Sequence, residues 1–370
     1  MALAFYRKYR PKKLGDILEQ ETNVLILKNA ARQNKLGQAY LFYGPRGTGK
    51  TTTARLIAKL LNCERRRTDP EFRETGEPCN ECRSCREVDE NNSFDVIEID
   101  AASNRGIEEI RNLKEGIRTA PSGGPFKIYI IDEAHMLTGP AFNALLKTLE
   151  EPPKHAVIVL ATTEYEKLPS TITSRTQRFL FKKLSKKTII EKLTAIARAE
   201  KIRTDEAALD LVAAAAEGSF RDAESLLDQI SSLEGKVDLE AVERITGRVG
   251  LRKVHELSLL VLQRNLSGSL EYLSSLENEG HNMVQLAKDL IHYLRKALSL
   301  KLNPELEKVF QSDLTKDEVG ELKKVSVLAE PERTVSLLRT LIRAYSEMRY
   351  SPLAVVPLEI ALVENLSDKK

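Results

Sequence analysis

The chain has 370 residues, a length typical of two or three domains, and 42% hydrophobic residues give each domain enough apolar side chains for a core. Its 57 basic and 54 acidic side chains leave a net charge of +3, which excludes a histone-like polycation. No apolar run approaches the ~18 residues that span a bilayer. The opening segment also lacks the apolar stretch of a secretory signal. We therefore expect a cytoplasmic protein that makes no membrane contact.

Short β-rich runs alternate with helical patterns over the first 178 residues. Strands are predicted at Ala39–Tyr43, Phe94–Ile99, Lys127–Ile131, Ala156–Leu160 and Arg178–Phe181. Helices are predicted between them at Thr51–Leu61, Gly106–Ile117 and Pro140–Leu149. Strands that alternate with crossover helices predict an α/β domain with a largely parallel sheet.

Beyond Ser185 the pattern becomes entirely helical. Four short helices are predicted, with Asp205 and Asp238 placed to cap two of them, at Lys186–Glu200, Asp205–Ala216, Phe220–Leu233 and Leu239–Thr246. Longer amphipathic helices follow at Leu251–Asn265, Met283–Ser299 and Pro331–Met348. The changes of pattern predict three domains, at residues 1–178, 179–246 and 247–370.

The segment GPRGTGKT, Gly44–Thr51, fits the phosphate-binding pattern G-x4-G-K-[ST] and lies between a predicted strand and a predicted helix. Its glycines let backbone N–H groups curl around phosphate oxygens, and the N-terminus of the helix attracts anions. Lys50 would reach the β- and γ-phosphates of ATP, and the Thr51 hydroxyl would bind Mg²⁺. A glycine-rich turn without a ligand is the alternative.

A second motif, Asp132-Glu133-Ala134-His135, follows an apolar strand. The carboxyl ends of parallel strands form the ligand crevice of such sheets. Asp132 would hold Mg²⁺ through its water shell, and Glu133 would orient or deprotonate the attacking water. Adjacent acids after a strand can also form a solvated turn, but their occurrence with the phosphate-binding segment favours catalysis.

All four cysteines, Cys63, Cys79, Cys82 and Cys85, fall within one short stretch of the chain. Two overlapping C-x-x-C units and one more distant thiol can surround a tetrahedral Zn²⁺, and four thiolates make a closed structural site. Four reduced thiols in a surface loop are the alternative, although such thiols would be prone to oxidation.

Several motifs occur together in this chain: Tyr6–Pro11, the phosphate-binding segment, the cysteines, Asp132–His135, Ser174-Arg175 and Gly218–Ala223. In this combination they resemble the γ/τ subunits of bacterial DNA polymerase III clamp loaders, a family of AAA+ ATPases. The specific motifs cover residues 5–245, and the rest is similar in length and helical character. The resemblance implies an AAA+ α/β domain with a zinc-binding insertion at 62–87, a helical lid domain and an all-α collar domain that joins subunits. Because the chain ends at Lys370, we expect the shorter γ-type form or a truncation.

The resemblance also implies roles for individual residues. Thr163 would sense the γ-phosphate or position water, and Arg175 would enter a neighbouring subunit's ATP site as an arginine finger. Arg221 would touch the phosphates bound by its own subunit. The ATP-binding residues implied in this way are Tyr9, Arg10, Pro11, Gly44, Pro45, Arg46, Gly47, Thr48, Gly49, Lys50, Thr51, Thr52 and Arg221. Ser174-Arg175-Thr176 departs from the family's frequent Ser-Arg-Cys but retains the arginine.

The function implied is that of an ATP-driven motor that loads a sliding clamp on primer–template DNA together with other clamp-loader subunits. Arg105 and Lys147 are candidates for DNA contacts. One alternative is a nucleic-acid helicase, because Asp132–His135 reads DEAH. Another is a scaffold that binds ATP without hydrolysing it, which would be expected to lack Lys50, Glu133 or Arg175.

Overall fold

The computed structural model describes residues 3–104, 113, 115–232, 236–311, 314 and 316–367. The chain divides into two compact units. Unit 1 consists of Met1–Leu184 and Gly218–Asp222, and unit 2 consists of Ser185–Glu217 and Ala223–Lys370. The division into three domains stays a prediction.

Unit 1 is built on a five-stranded sheet with the strand order β2-β3-β4-β1-β5. Its strands are β1 Ala39–Tyr43, β2 Val96–Asp100, β3 Lys127–Asp132, β4 Ala156–Thr162 and β5 Gln177–Leu180. All neighbouring strands pair in parallel, which confirms the predicted parallel α/β sheet. The register places Tyr43 opposite Thr162 and Asp100 opposite Asp132. The carboxyl ends of β1, β3 and β4 therefore meet at one edge of the sheet.

The central strands β1, β3 and β4 are covered on both faces, which explains their continuous apolar runs. Every residue of β4 is buried. Alternate residues of β1 lie in different cores, with Leu41 in one and Tyr40 and Phe42 in the other. The strands are thus held in register by two apolar layers, and the polar residues that follow them are kept at the edge.

The described helices of unit 1 are α1 Phe5–Lys8, α2 Glu21–Arg32, α3 Lys50–Asn62, α4 Glu64–Thr68, α5 Pro70–Arg73, α6 Arg83–Asp89, α7 Gly139–Glu150 and α8 Ser170–Thr173. Short 3₁₀ turns lie at Leu14–Asp16, Ala134–Met136 and Tyr165–Lys167. Helices α2 and α3 pack on the Phe42 face, and α7 packs on the Leu41 face. Most of the helix predicted at Gly106–Ile117 lies outside the described residues, as does Arg105.

Unit 2 is helical, as the sequence predicts. Its helices continue as α9 Lys186–Ala199, α10 Glu206–Ala215, α11 Phe220–Ser231 (whose first three residues belong to unit 1), α12 Leu239–Thr246, α13 Leu251–Leu262, α14 Leu266–Asn278, α15 Met283–Leu302, α16 Glu307–Phe310, α17 Lys316–Leu328, α18 Pro331–Met348 and α19 Val356–Leu366. A 3₁₀ turn occupies Pro304–Leu306. The later helices, from α13 onward, enclose an apolar core that includes Leu257, Leu290 and Leu341. No helix in the described ranges is both long and apolar enough to cross a membrane.

Several helix ends and one cap in unit 2 differ from the sequence prediction; α15, for example, extends to Leu302 instead of Ser299. Helix α13 ends at Leu262, not Asn265, because Arg264 adopts a left-handed conformation with φ 60° and Asn265 caps α14 by accepting from Gly268 N. Asp238 caps α12 as expected, by accepting from Ala241 N. Asp205 is the N-cap residue of α10, as expected, but its side chain pairs with Lys236 and makes no capping hydrogen bond.

Candidate active site

The predicted phosphate-binding loop connects β1 to α3 and contains three glycines with positive φ, at Gly44, Gly47 and Gly49. Gly49 is the N-cap residue of α3 in the left-handed conformation, which favours glycine. A Cβ atom at Gly44 would collide with the Phe181 carbonyl oxygen. These three positions of the loop therefore favour glycine. The loop leads into the N-terminus of a 13-residue helix, which is a suitable site for an anion.

Lys50 starts this helix and lies inside the loop. Its side chain is buried, and Nζ donates to the carbonyl oxygens of Gly44 at 2.8 Å and Pro45 at 2.7 Å. Burial lowers the pKa of Lys50, whereas the nearby carboxylates of Glu133 and Asp132 raise it. Lys50 therefore brings a cation to the loop that the sequence assigns to phosphate.

The two acids after β3 contact different partners. Asp132 Oδ2 accepts from the Thr51 hydroxyl at 2.8 Å. Glu133 has a left-handed backbone with φ 47°, and its Oε2 accepts from the Thr163 hydroxyl at 2.9 Å and from Thr163 N at 3.3 Å. Strand β4 ends at Thr162, one residue before Thr163. The structure thus brings Thr51 and Asp132 together, and Glu133 and Thr163 together, along the same edge of the sheet. Thr52 lies in the first turn of α3.

A distant segment, Gly218–Asp222, packs on the loop. Phe220 N donates to the Gly47 carbonyl oxygen at 3.2 Å, and a Cβ atom at Gly47 would collide with the Ser219 hydroxyl. Arg46 lies 3.7 Å from Asp222 in an exposed ion pair. Within this segment the Arg221 guanidinium lies over the Tyr6 ring, 5.2 Å from its centroid. Arg221 is therefore carried to the neighbourhood of the loop by its own chain, and Ser219 is a contact that the sequence analysis missed.

The segment Tyr9-Arg10-Pro11, which the resemblance assigns to ATP binding, follows α1. The Tyr9 ring packs edge-on against Phe5, with ring centroids 6.1 Å apart. Burial lowers the pKa of Arg10, and nearby Arg55 lowers it further, while Glu98 opposes both effects. The Arg55 guanidinium pairs with the Glu98 carboxylate and so connects α3 to β2. Its Nε atom lies 2.5 Å from Oε1, and its Nη2 atom donates to Oε2 at 2.6 Å. This ion pair was not foreseen in the sequence.

Arg175, the predicted finger, binds groups of its own unit. Its Nε and Nη2 atoms contact Glu150 Oε1 at 2.7 and 2.5 Å, and Nη1 donates to the Thr171 carbonyl oxygen at 2.8 Å. Glu150 ends α7, and Arg175 follows α8. The contacts hold the guanidinium on these two helix ends instead of on the phosphate-binding loop of the same chain.

The four thiols come together as the sequence predicts. The Sγ atoms of Cys63, Cys79, Cys82 and Cys85 all lie within 4.8 Å of one another. A tetrahedral zinc site with Zn–S bonds of ~2.3 Å needs sulfur atoms ~3.8 Å apart, so small shifts would complete it. Backbone N–H groups of Glu81 and Cys82 donate to Cys79 Sγ at 3.4 and 3.3 Å. The donor set therefore fits a structural zinc ion.

The electrostatics of the cluster also favour a cation. Donation from the Cys85 thiol lowers the pKa of Cys63 to about 4, with help from backbone N–H groups. The same contact and burial raise the pKa of Cys85. Adjacent thiolates repel each other, so the second thiol resists ionisation unless a positive charge is supplied. A divalent metal ion would supply that charge.

Charged side chains, Lys59 and Glu77 among them, attach the cysteine module (the predicted insertion at 62–87 together with the rest of α6) to the rest of unit 1. Lys59 of α3 has a side chain only 2% exposed, and its Nζ contacts Asp89 at 2.5 Å and Asn80 at 3.0 Å. Glu77 accepts from the backbone N–H groups of Leu14 and Gly15 at 2.6 and 2.9 Å. The module is thus connected to the phosphate-binding helix and to the N-terminal segment.

Comparison with known proteins divides the chain into three matches. A family model described as "DNA polymerase III, delta subunit" matches residues 19–185. A model of the "DNA polymerase III clamp loader subunit, ATPase lid domain" matches residues 188–232. A third, "DNA polymerase III subunits gamma and tau domain III", matches residues 237–368.

Relatives match over nearly the whole chain. The τ subunit of DNA polymerase III from Bacillus subtilis is 41% identical over 98% of this chain, and this match covers 62% of that subunit. The Escherichia coli τ subunit is 36% identical, with 55% of its length covered. The chain thus spans little more than half the length of these τ subunits. A solved structure of the Thermotoga maritima RuvB branch migration motor is 16% identical, with a TM-score of 0.46 over 74% of this chain and 86% of that chain, which is too remote to bear on the assignment.

Shorter relatives match along their full length. The γ subunit of DNA polymerase III from Buchnera aphidicola subsp. Schizaphis graminum is 34% identical over 98% of both chains. This match covers the nucleotide loop, the cysteines and the helical unit together. It confirms the resemblance seen in the sequence motifs: the chain belongs to the family of γ and τ subunits of the DNA polymerase III clamp loader.

Proposed function

We propose that this chain is an ATP-driven motor subunit that opens a sliding clamp, places it on primer–template DNA and releases it after hydrolysis. The observation that carries the proposal is the pairing of Thr51 with Asp132 beside Glu133 and Thr163, on a chain that belongs to the clamp-loader family. Its work would be cytoplasmic and done with other clamp-loader subunits.

The residues at the sheet edge would divide the chemistry of ATP hydrolysis. Gly44–Thr52 would bind the phosphates, with Lys50 stabilising negative charge on them. Thr51 and Asp132 would hold Mg²⁺, which neutralises phosphate charge when bound. Glu133 would accept a proton from the attacking water, and Thr163 would keep its carboxylate in place. Tyr9, Arg10 and Pro11 would pack near adenine, and Arg221 would reach the phosphates of its own subunit.

The helicase alternative receives no support from the fold. Helicases of that type often need a second α/β domain, whereas every named strand among the residues described here lies before Phe181. The non-hydrolysing scaffold is also disfavoured, since Lys50, Glu133 and Arg175 are all present.

The cysteine cluster would hold a structural zinc ion. Four thiolates would fill its coordination shell and leave no position for water, so the ion would cross-link the module without taking part in hydrolysis. The module contains little apolar surface of its own, and metal binding would stabilise its short helices.

ATP hydrolysis by the assembled loader tests the proposed motor. We expect the rate to rise strongly when clamp and primed DNA are added together, and much less with either alone. Strand separation without a clamp would support the helicase instead, and ATP binding without turnover would support the scaffold.

Charge reversal at the exposed Lys147 on α7 tests a DNA contact, because losing a phosphate contact should reduce the salt dependence of DNA binding.

A mixing experiment tests the arginine finger. If Arg175 acts on a neighbour, Arg175→Ala subunits keep an intact nucleotide site and Lys50→Ala subunits keep an intact finger. Assemblies of either variant alone should be nearly inactive, whereas mixed assemblies should recover part of the activity. Mixed assemblies as inactive as the single variants would contradict action between subunits.

A further inference from the structure

His135 ends the DEAH sequence and takes no part in the chemistry proposed above, yet it lies among the catalytic side chains. Its side chain is only 6% exposed. The ring nitrogen Nδ1 lies 2.9 Å from the Thr162 hydroxyl, and Nε2 lies 3.2 Å from Glu164 Oε1. The imidazole therefore bridges the segment after β3 to the end of β4.

The hydrogen bonds around the imidazole favour the tautomer that carries its proton on Nε2. The Thr162 hydroxyl accepts from Glu164 N at 3.0 Å and can direct its own proton to His135 Nδ1. Nε2–H can then donate to the Glu164 carboxylate. Every donor in this arrangement meets an acceptor when the imidazole is neutral and protonated on Nε2. Thr162, His135 and Glu164 thus form a closed ring of hydrogen bonds, which we term the His135 ring.

The His135 ring lies against the proposed base. Glu133 Oε2 is 3.4 Å from His135 Nδ1 and accepts both N–H and O–H bonds from Thr163. When the imidazole is neutral and protonated on Nε2, its Nδ1 atom carries a lone pair and offers Glu133 no proton. The imidazole therefore limits movement of the Glu133 carboxylate towards it, while the hydrogen bonds to the carboxylate come from Thr163.

We propose that His135 is a positioning residue for Glu133. It fixes the site of the carboxylate beside Thr163 without donating a proton that would weaken it as a base. The proposal rests on the proposed ATPase function, because it assigns Glu133 the role of base. His135 touches neither Lys50 nor Thr51 through any of these contacts, so it acts on turnover and leaves ATP binding unchanged.

A double-mutant cycle in the full assembled chain tests this role. His135→Ala should lower kcat about 10-fold, less than the ~10²-fold that a 1 Å displacement of a catalytic group can cost. KM for ATP should stay within about twofold. In single-turnover assays on the Glu133→Gln background, His135→Ala should have no further effect, because the group it positions is already absent. Equal losses in both backgrounds would overturn the proposal.

A conservative variant guards against simple misfolding. His135→Asn retains an acceptor toward the Thr162 hydroxyl and should recover part of the lost kcat, with a melting temperature close to the wild-type value. If the Asn variant has a wild-type melting temperature but is as slow as the Ala variant, then the contact between residue 135 and Thr162 does not position Glu133, and the proposal is wrong.

A second measurement needs no turnover. In ¹⁵N-histidine NMR spectra of the full chain, the signals that disappear in the His135→Ala variant belong to the His135 imidazole. In the wild-type spectrum these signals should be those of a neutral imidazole protonated on Nε2. His155 is an internal reference, since its Nε2 lies 3.0 Å from the Ile117 carbonyl oxygen and should donate to it. An Nδ1–H tautomer at His135 would overturn the proposal whether or not the protein hydrolyses ATP. If the wild-type protein shows the expected tautomer but does not hydrolyse ATP, the proposed function is refuted instead.

Discussion

Glu133→Gln should separate ATP binding from ATP hydrolysis. The amide oxygen of Gln can still accept from the Thr163 hydroxyl, which lies 2.9 Å from Glu133 Oε2. Lys50 and Thr51 contact other groups, namely Gly44, Pro45 and Asp132. Nucleotide affinity should therefore stay within about threefold of the wild-type value. Only the group that accepts the proton is removed.

The expected loss of rate follows from that role. Removing a general base typically costs ~10²–10⁴-fold. At 25 °C this corresponds to about 2.7–5.5 kcal/mol in the activation free energy. An exposed carboxylate that contacts only solvent would change the rate much less. The variant should remain in the ATP-bound state and hold the clamp.

Two measurements decide the matter: equilibrium ATP binding and single-turnover hydrolysis by the assembled chain. Glu166→Gln is the matched control, because Glu166 is exposed in the nearby Tyr165–Lys167 turn and should behave as wild type. Hydrolysis by Glu133→Gln within a few-fold of wild type would show that Glu133 is not the base. Affinity lost in parallel with rate would assign Glu133 to the metal site instead.

Three further predictions concern the loop and the thiols. Lys50→Ala should lose nucleotide affinity and turnover while its circular dichroism spectrum is unchanged, and normal turnover would contradict the phosphate-loop assignment. Elemental analysis should find one zinc per chain, and chelation should lower the melting temperature; metal-free protein with four freely titrating thiols would argue against the site. Gly47→Ala should weaken nucleotide binding, because it adds a collision with Ser219 to a positive-φ strain of ~1–2 kcal/mol. Gly280→Ala has the same kind of strain in open space and should leave binding intact, so equal effects of the two variants would refute this reasoning.

The sheet and the phosphate loop could be predicted because both follow from local sequence. Strand β4 is apolar at every position from Ala156 to Ala161 and is buried at every position up to its last residue, Thr162. The glycines at Gly44, Gly47 and Gly49 all adopt the positive φ that the loop motif requires. The end of α13 was harder to predict, since the sequence pattern stays helical up to Asn265 and only the left-handed Arg264 interrupts it.

The contacts that charged side chains make with distant segments could not be predicted from the sequence. Arg66 belongs to a run of arginines, which normally indicates a solvated face. In the structure it is buried and donates to the carbonyl oxygens of Ala31 at 2.8 Å and Leu60 at 3.2 Å. Glu150 and Arg175 are 25 residues apart, and nothing local indicates their contact. Such pairings depend on how elements pack, which periodicity does not encode. A signal did exist for the His135 ring. The strand that pairs with the one before DEAH ends at Thr162, and polar residues continue there through Thr163 and Glu164.

Helix α3 begins at the phosphate-binding loop and is followed directly by Cys63. The two proposed binding sites, for nucleotide and for zinc, therefore lie at opposite ends of one helix about 20 Å long. Helices fray from their ends, where backbone groups lack intrahelical partners. Nucleotide would protect the first turn, and metal would protect the last. Between them the helix is held by buried side chains such as Leu56, Ile57 and Lys59. Amide hydrogen exchange along α3 should therefore slow from the N-terminal end when ATP binds and from the C-terminal end when zinc binds. With both ligands bound, the helix would exchange only when the surrounding core opens, as one cooperative unit.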